Sequence, residues 1–217
     1  MNIKDILACP VCKEELLIVN NTYFCKKCGK EFVTKEGIYD FLTGGEDAWK
    51  YFQGGLFGND KELEDKFLKT PDSELAPSDL LLKGLIYWYK GNFEAYEKIM
   101  NHPEGKNYYT EDYQKATQSS LDYTKNLLKK EKGIIMDLAT GMGGLLTPMV
   151  KEYDMELLSV DISPTSSYGL SRYLKYLKKD HLVTQIVADA KLFPFKNGSI
   201  DVITTAAGFQ NMEDGEE

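Results

Sequence analysis

The sequence predicts an α/β chain in which an open, Rossmann-like parallel sheet fills the second half, preceded by a helical connector and a small cysteine-rich ribbon. Three observations carry that prediction. From Ile134 onward, short apolar runs alternate with helical patterns, as parallel strands joined by crossover helices require. The first of these runs ends in a glycine turn, Gly141-Met142-Gly143. All four cysteines lie between Cys9 and Cys28, in two Cys-x-x-Cys pairs. With 217 residues, 42% of them hydrophobic, the chain is long enough for a small module joined to a larger one. The expected boundaries are 1–43 for the ribbon, 44–107 for the connector and 108–217 for the sheet domain.

The ribbon comes first. Cys9-Pro-Val-Cys12 and Cys25-Lys-Lys-Cys28 are separated by twelve residues. Each pair forms a tight knuckle that points two thiolates at one ion, and two knuckles complete a tetrahedral sulfur set suited to zinc. Lys13, Lys26, Lys27 and Lys30 would offset the charge left by four thiolates around a divalent ion. The competing uses are two disulfides, disfavoured in a reducing compartment, and a redox dithiol, disfavoured by the duplicated spacing. Leu16 to Val19 reads as a strand, Asn20-Asn21 as a turn, and Tyr23-Phe24 as the returning strand. So short a module buries little core, and metal binding and folding should be one event there.

The connector is helical and aromatic. Gly44-Gly45 and Gly54-Gly55 mark a linker, and Lys61 to Leu68 a short helix. Pro77-Ser78-Asp79 opens a helix that Gly91 ends, and Phe93 to Met100 continues the pattern. The aromatic residues read as packing, with a lid or substrate wall as the functional alternative. His102, before Pro103 in an expected loop, is given no role. A longer helix is expected from Asp112 to Lys130, capped by Thr110, with acidic residues in its first turn and lysines in its last. Its Tyr113, Ala116, Thr117, Ser120, Leu121, Thr124, Leu127 and Leu128 share one face, which should pack on the sheet domain.

Four strands are expected next: Ile134 to Leu138, Glu156 to Asp161, Val183 to Ala188 and Ile200 to Thr205, with helices ending near Tyr153 and spanning Ser163 to Leu177. Ligands of open α/β sheets bind beyond the carboxyl ends of the strands, so the residues there are the candidates. Gly141 and Gly143 let the backbone approach a ligand. A dinucleotide fingerprint would place a third glycine where Leu146 stands, which disfavours a pyrophosphate site. Asp161, at the end of the second strand, is placed to accept two ribose hydroxyls, and Asp189 follows the third strand. Asp201 reads as a structural acid at the start of the fourth.

These motifs carry two resemblances. Residues 9–41, from Cys9-Pro-Val-Cys12 through Cys25-Lys-Lys-Cys28-Gly to Glu36-Gly-Ile-Tyr-Asp-Phe41, resemble the Trm112-like zinc ribbon. That family occurs as a free partner of methyltransferases and fused to them, including to a bacterial 23S rRNA guanine methyltransferase. Residues 108–212 resemble class I S-adenosylmethionine-dependent methyltransferases, nearest the ubiquinone/menaquinone-biosynthesis-like group. The motifs are Asp137-x-x-x-Gly141-x-Gly143, Val160-Asp161, Asp189-Ala190 and Phe193-Pro-Phe to Asp201-Val-Ile203. The resemblance implies that Asp137 contacts the methionine amino end and that Gly141 and Gly143 line the methionyl and ribose portion. It further implies that Asp161 binds the ribose, Ile162 flanks the adenine, and Asp189 accepts from the adenine amino group with Ala190 beside it. Ala206 to Asn211 would face the methyl group and its acceptor.

A full domain of that class has seven strands in the order 3-2-1-4-5-7-6, and four are visible before Glu217, so a fragment or truncation is expected. The expected function is methyl transfer to a small molecule or RNA, with S-adenosylmethionine and zinc as cofactors. The alternative is a non-catalytic binding protein that engages a partner through its ribbon. No Asn-Pro-Pro-Tyr-type run succeeds the fourth strand, and no catalytic residue is assigned. The formal charge of -8 disfavours a global field for nucleic acid. No signal segment or run of ~18 apolar residues is present, so a cytoplasmic protein is expected, without membrane partners. Self-association or a protein partner is expected through the ribbon or the open sheet edge.

Overall fold

The computed structural model describes residues 2–44, 60–102, 109–208 and 210. The Gly54-Gly55 pair, Gly45, Pro103, Phe209 and the run 211–217 lie outside these. The chain divides into two compact units: residues up to 44 together with Leu128 and beyond, and the intervening stretch from 60 to 127.

The first unit is built on one eight-stranded sheet of order β1-β2-β3-β4-β7-β6-β5-β8. Its antiparallel part comprises β1 (Leu16–Val19), β2 (Thr22–Cys25), β3 (Glu31–Lys35) and β4 (Ile38–Asp40). The β1–β2 hairpin turns at Asn20, whose φ of 55° is the left-handed conformation that a two-residue turn demands and asparagine tolerates. The parallel part comprises β5 (Ile135–Leu138), β6 (Leu157–Asp161), β7 (Val183–Val187) and β8 (Val202–Thr204). In the numbering of the parallel strands alone the order is 3-2-1-4, as the Rossmann-like class predicts, with the reversal beside β5. Helices α5 (Leu146–Tyr153) and α6 (Pro164–Tyr176) make the crossovers, and α6 rests on β6 and β7. Ser163 caps α6 by accepting from the Ser166 N–H at 3.2 Å, and Pro164 occupies its first turn.

The ribbon is no separate module here. β4 pairs in parallel with β7, placing Tyr39 opposite Ile186 and Asp40 opposite Val187. Leu7 bridges Phe195, flanked by Ala8 N to Pro194 O at 2.9 Å and Lys196 N to Ile6 O at 2.8 Å. One apolar cluster therefore joins Tyr23, Phe32 and Phe41 of the ribbon to Met136, Leu158, Val160 and Ile186 of the parallel strands. The ribbon is too small to bury those aromatics alone and uses the edge of the larger sheet. The expected boundary at 43 thus runs through a continuous core.

The second unit holds α1 (Lys61–Lys69), α2 (Pro77–Lys90), α3 (Phe93–Met100) and all but the last residue of α4 (Glu111–Leu128). Gly91, at φ 76°, ends α2 as expected, and Gly84 lets α3 approach, since a Cβ there would meet Met100 Cε at 2.4 Å. Trp88, Ile86 and Phe93 are buried, in keeping with the packing reading of the aromatics. Lys83 and Glu64 are buried but paired, Lys83 with Asp72 at 2.8 Å and Glu64 with Lys90 at 2.6 Å. Thr110 caps α4 through the Tyr113 N–H. Residues 111–127 of this helix fall in the second unit. Helical spacing identifies a face, but that face carries Thr, Ser and Ala over two turns and offers little apolar area to bury. No helix among the described residues is long and apolar enough to cross a membrane.

Candidate functional site

The two cysteine knuckles are built on the same backbone pattern. In the first, Cys9 N donates to Glu14 O and Lys13 N to Cys9 O; in the second, Cys25 N donates to Lys30 O and Gly29 N to Cys25 O, all at 2.9 Å. Lys13 and Gly29 hold the equivalent left-handed position, at φ 62° and 70°. The four sulfurs consequently lie within 4.8 Å of one another, with Cys9 3.5 Å from Cys28 and Cys12 3.4 Å from Cys25. Burial pushes the Cys9 thiol up to about 12, while backbone N–H groups, first that of Cys28, hold Cys25 down to about 6. So compact a set ionises fully only around a cation, and four thiolates at tetrahedral reach suit zinc. Two of the lysines expected to offset the charge have other partners: Lys27 pairs with Glu14 at 2.8 Å, and Lys13 Nζ donates to Phe193 O at 2.5 Å.

At the carboxyl ends of the parallel strands the candidate residues converge. Asp161, buried at the end of β6, accepts from Gly141 N on Oδ2 at 2.7 Å and from Ser163 N on Oδ1 at 2.8 Å. It therefore ties the glycine turn after β5 to the start of α6. Ala188 N donates to Asp161 O at 3.0 Å, which brings Asp189 and Ala190 alongside. Asp189 opens a short 3₁₀ turn, Ala190–Leu192, and its Oδ1 accepts from Lys191 N at 2.9 Å. Ile162, directly after Asp161, is an apolar side chain 60% exposed.

Asp137, at the end of β5, is buried, and desolvation pushes its carboxyl up to about 7. Thr204 on β8 donates to its Oδ1 at 3.1 Å and draws it partly back. Sequence reasoning misses Thr204, because only the β5–β8 register, which the fold sets, places it opposite Asp137. Equally unforeseen are the left-handed alanines Ala139 (φ 53°) and Ala207 (φ 57°), which come after β5 and β8. Gly208 lets those two loops meet, since a Cβ there would lie 2.7 Å from the Ala139 methyl.

The two glycines of the turn serve different ends. A Cβ on Gly141, at φ 54°, would meet nothing within 4 Å, so this backbone fronts open space. A Cβ on Gly143, at φ 83°, would strike Leu170 Cδ1 and Thr147 Oγ1 at 2.7 Å. Gly143 is thus glycine because α5 and α6 close over it, whatever else it faces. The Phe193-Pro-Phe195 run likewise serves as the seat of the ribbon, with Phe195 buried against Leu7. Asp201, at the opposite end of its strand, accepts from Ile134 N at 2.7 Å and holds the start of β5.

Residues 136–217 match the family model described as a methyltransferase domain. The chain is also similar to solved structures. One is the MccD protein, at 28% identity over 34% of each chain with a TM-score of 0.30. Another is a putative S-adenosyl-L-methionine-dependent methyltransferase from Methanococcus maripaludis, at 18% identity over 38% of this chain and 37% of that one, with a TM-score of 0.36. A third is a methyltransferase from Thiobacillus denitrificans solved with S-adenosyl-L-homocysteine, at 21% identity over 41% and 36% of the two chains, with a TM-score of 0.35. The matched stretch spans just over a third of each of these structures. No curated protein matches the chain. The α/β architecture, the 3-2-1-4 order and the domain match together fit a Rossmann-like class I methyltransferase.

Proposed function

We propose that this chain binds S-adenosylmethionine at the carboxyl ends of β5, β6 and β7 and serves methyl transfer, with one zinc ion held by Cys9, Cys12, Cys25 and Cys28. The observation that carries the reading is Asp161 held from both sides by Gly141 N and Ser163 N, in a segment that matches a methyltransferase domain. Its carboxylate is pre-oriented and retains lone pairs for two ribose hydroxyls, because each oxygen accepts two hydrogen bonds. Gly141 leaves room for the methionyl and ribose portion, Ile162 and Ala190 flank the adenine, and Asp189 accepts from its amino group. Gly143 shapes the turn that carries these contacts. Asp137 faces the methionine amino end; an ammonium beside it would favour the ionised carboxylate that burial otherwise resists.

When bound, the cofactor supplies an activated methyl group. The chain's own contribution is orientation: the acids and the turn fix the cofactor's ends, and the loop after β8, with Ala206 and Ala207, borders the place where an acceptor would approach in line. The acceptor class is a small molecule or RNA. The sulfur cluster supports a Trm112-like ribbon, with zinc serving the fold and no part in the chemistry.

The test is calorimetric titration of the zinc-loaded protein with S-adenosylhomocysteine, alongside metal analysis. Saturable binding and about one zinc per chain are expected. Absence of binding would overturn the cofactor reading, and a folded, metal-free ribbon would overturn the zinc reading.

A further inference from the structure

The segment that carries Asp189 is held at both ends by the ribbon. Upstream, β4 lies along β7 and Phe41 N donates to Val187 O at 2.8 Å. Downstream, Leu7 bridges Phe195, Ala8 N donates to Pro194 O, and Lys196 Nζ donates to Asp5 O at 2.8 Å. Between these clamps, the Lys13 ammonium donates to Phe193 O. Lys13 comes directly after Cys12, and the hydrogen bond from its own N–H to Cys9 O fixes it in the left-handed region. Its side chain therefore leaves the metal knuckle in a direction the knuckle sets. The turn it reaches is short, and within it Asp189 Oδ1 accepts from Lys191 N and Asp189 O from Leu192 N, each at 2.9 Å. So small a turn takes its place from its neighbours.

We propose that the first metal knuckle positions Asp189 toward the adenine of the cofactor, with Lys13 as the positioning residue that links the two. The inference rests on the adenine role proposed for Asp189. It makes the ribbon part of the cofactor site, and it makes base selectivity the property that the link controls. Adenine offers an amino donor to a carboxylate in that position, whereas hypoxanthine presents a carbonyl oxygen, which a carboxylate repels. Loosening the turn should therefore cost affinity for the adenine compound and little for its inosine analogue.

The experiment titrates zinc-loaded parent, Lys13→Met, Lys13→Arg and Asp189→Asn with S-adenosylhomocysteine and with S-inosylhomocysteine. Lys13→Met is expected to keep one zinc per chain, to weaken the adenine compound about three- to tenfold, and to lower the selectivity ratio by the same factor. Lys13→Arg, which keeps a donor at the end of a long stem, should restore the ratio. A Lys13→Met protein with the parent's ratio overturns the link, provided Asp189→Asn has lost selectivity. If Asp189→Asn also keeps the parent's ratio, the adenine role of Asp189 is what fails, and the proposal falls with it. General loss of fold would lower both affinities together, which is equally contrary to the proposal.

Discussion

Asp161 and Asp201 are both acids beside a glycine-containing turn, and both accept a backbone N–H at 2.7 Å, yet they stand at opposite ends of the parallel strands. Asp201 is exposed and spends its bond on Ile134, fastening β8 to the start of β5. Gly133 is glycine there because a Cβ would lie 2.2 Å from the Asp201 Oδ2. Asp161 is buried and draws together two loops from different crossovers, the glycine turn and the start of α6. The same chemical group thus closes a strand at one end and assembles the proposed binding surface at the other. Position along the strand decides which.

A set of substitutions sharpens that contrast. Asp161→Ala removes the acceptor that holds the turn and, in the proposed complex, the ribose, and affinity for S-adenosylhomocysteine should fall on the order of tenfold to a few hundredfold. Calorimetry measures it, and parental affinity would show that the strand register is misread. Asp137 should make stability depend on pH. Its carboxyl is raised to about 7 in the fold, so its favourable contribution is complete below about pH 4 and is lost as pH rises through 7. Stability measured by urea unfolding should decline by about 4 kcal/mol over that window, and Asp137→Asn should flatten the decline. Gly143→Ala should cost about 2 kcal/mol of stability by collision with Leu170 and Thr147. Gly141→Ala should cost about 1 kcal/mol for its left-handed backbone and act mainly on cofactor affinity. Thermal melts beside titrations separate the two. Asp201→Ala should do least, about 1 kcal/mol of stability with affinity intact. A large affinity loss there would erase the distinction between the strand ends.

Much of this is legible in the sequence because it is local. The four parallel strands emerge within two residues of their expected ends, and the β1–β2 hairpin lies where the apolar runs Leu16 to Val19 and Tyr23-Phe24 flank Asn20-Asn21. Their signals are apolar runs and turn residues close in sequence. β3 and β4 are visible only as part of a resemblance, since strands of five and three residues around Glu36-Gly37 carry too little periodicity to be distinguished from a loop. The pairing of β4 with β7 and the reach of Lys13 to Phe193 join residues from opposite ends of the chain, and no local pattern encodes them. Gly143 shows the same limit at one position: the glycine is visible, but its reason lies in Leu170, a helix away. The candidate site can be named from motif order, while Thr204 and the left-handed Ala139 and Ala207 emerge only from the fold.

The parallel joint between β4 and β7 also shapes how the protein is made. The ribbon leaves the ribosome well before Val187, the partner of Asp40. At ordinary translation rates that delay is on the order of ten seconds. Through it, Tyr23, Phe32 and Phe41 wait without the strand that covers them, and the four sulfurs hold the hairpins in register. With zinc in the site proposed for it, metal supply during synthesis, and not only afterwards, should then decide how much of the newborn protein reaches its fold and how much is lost to aggregation.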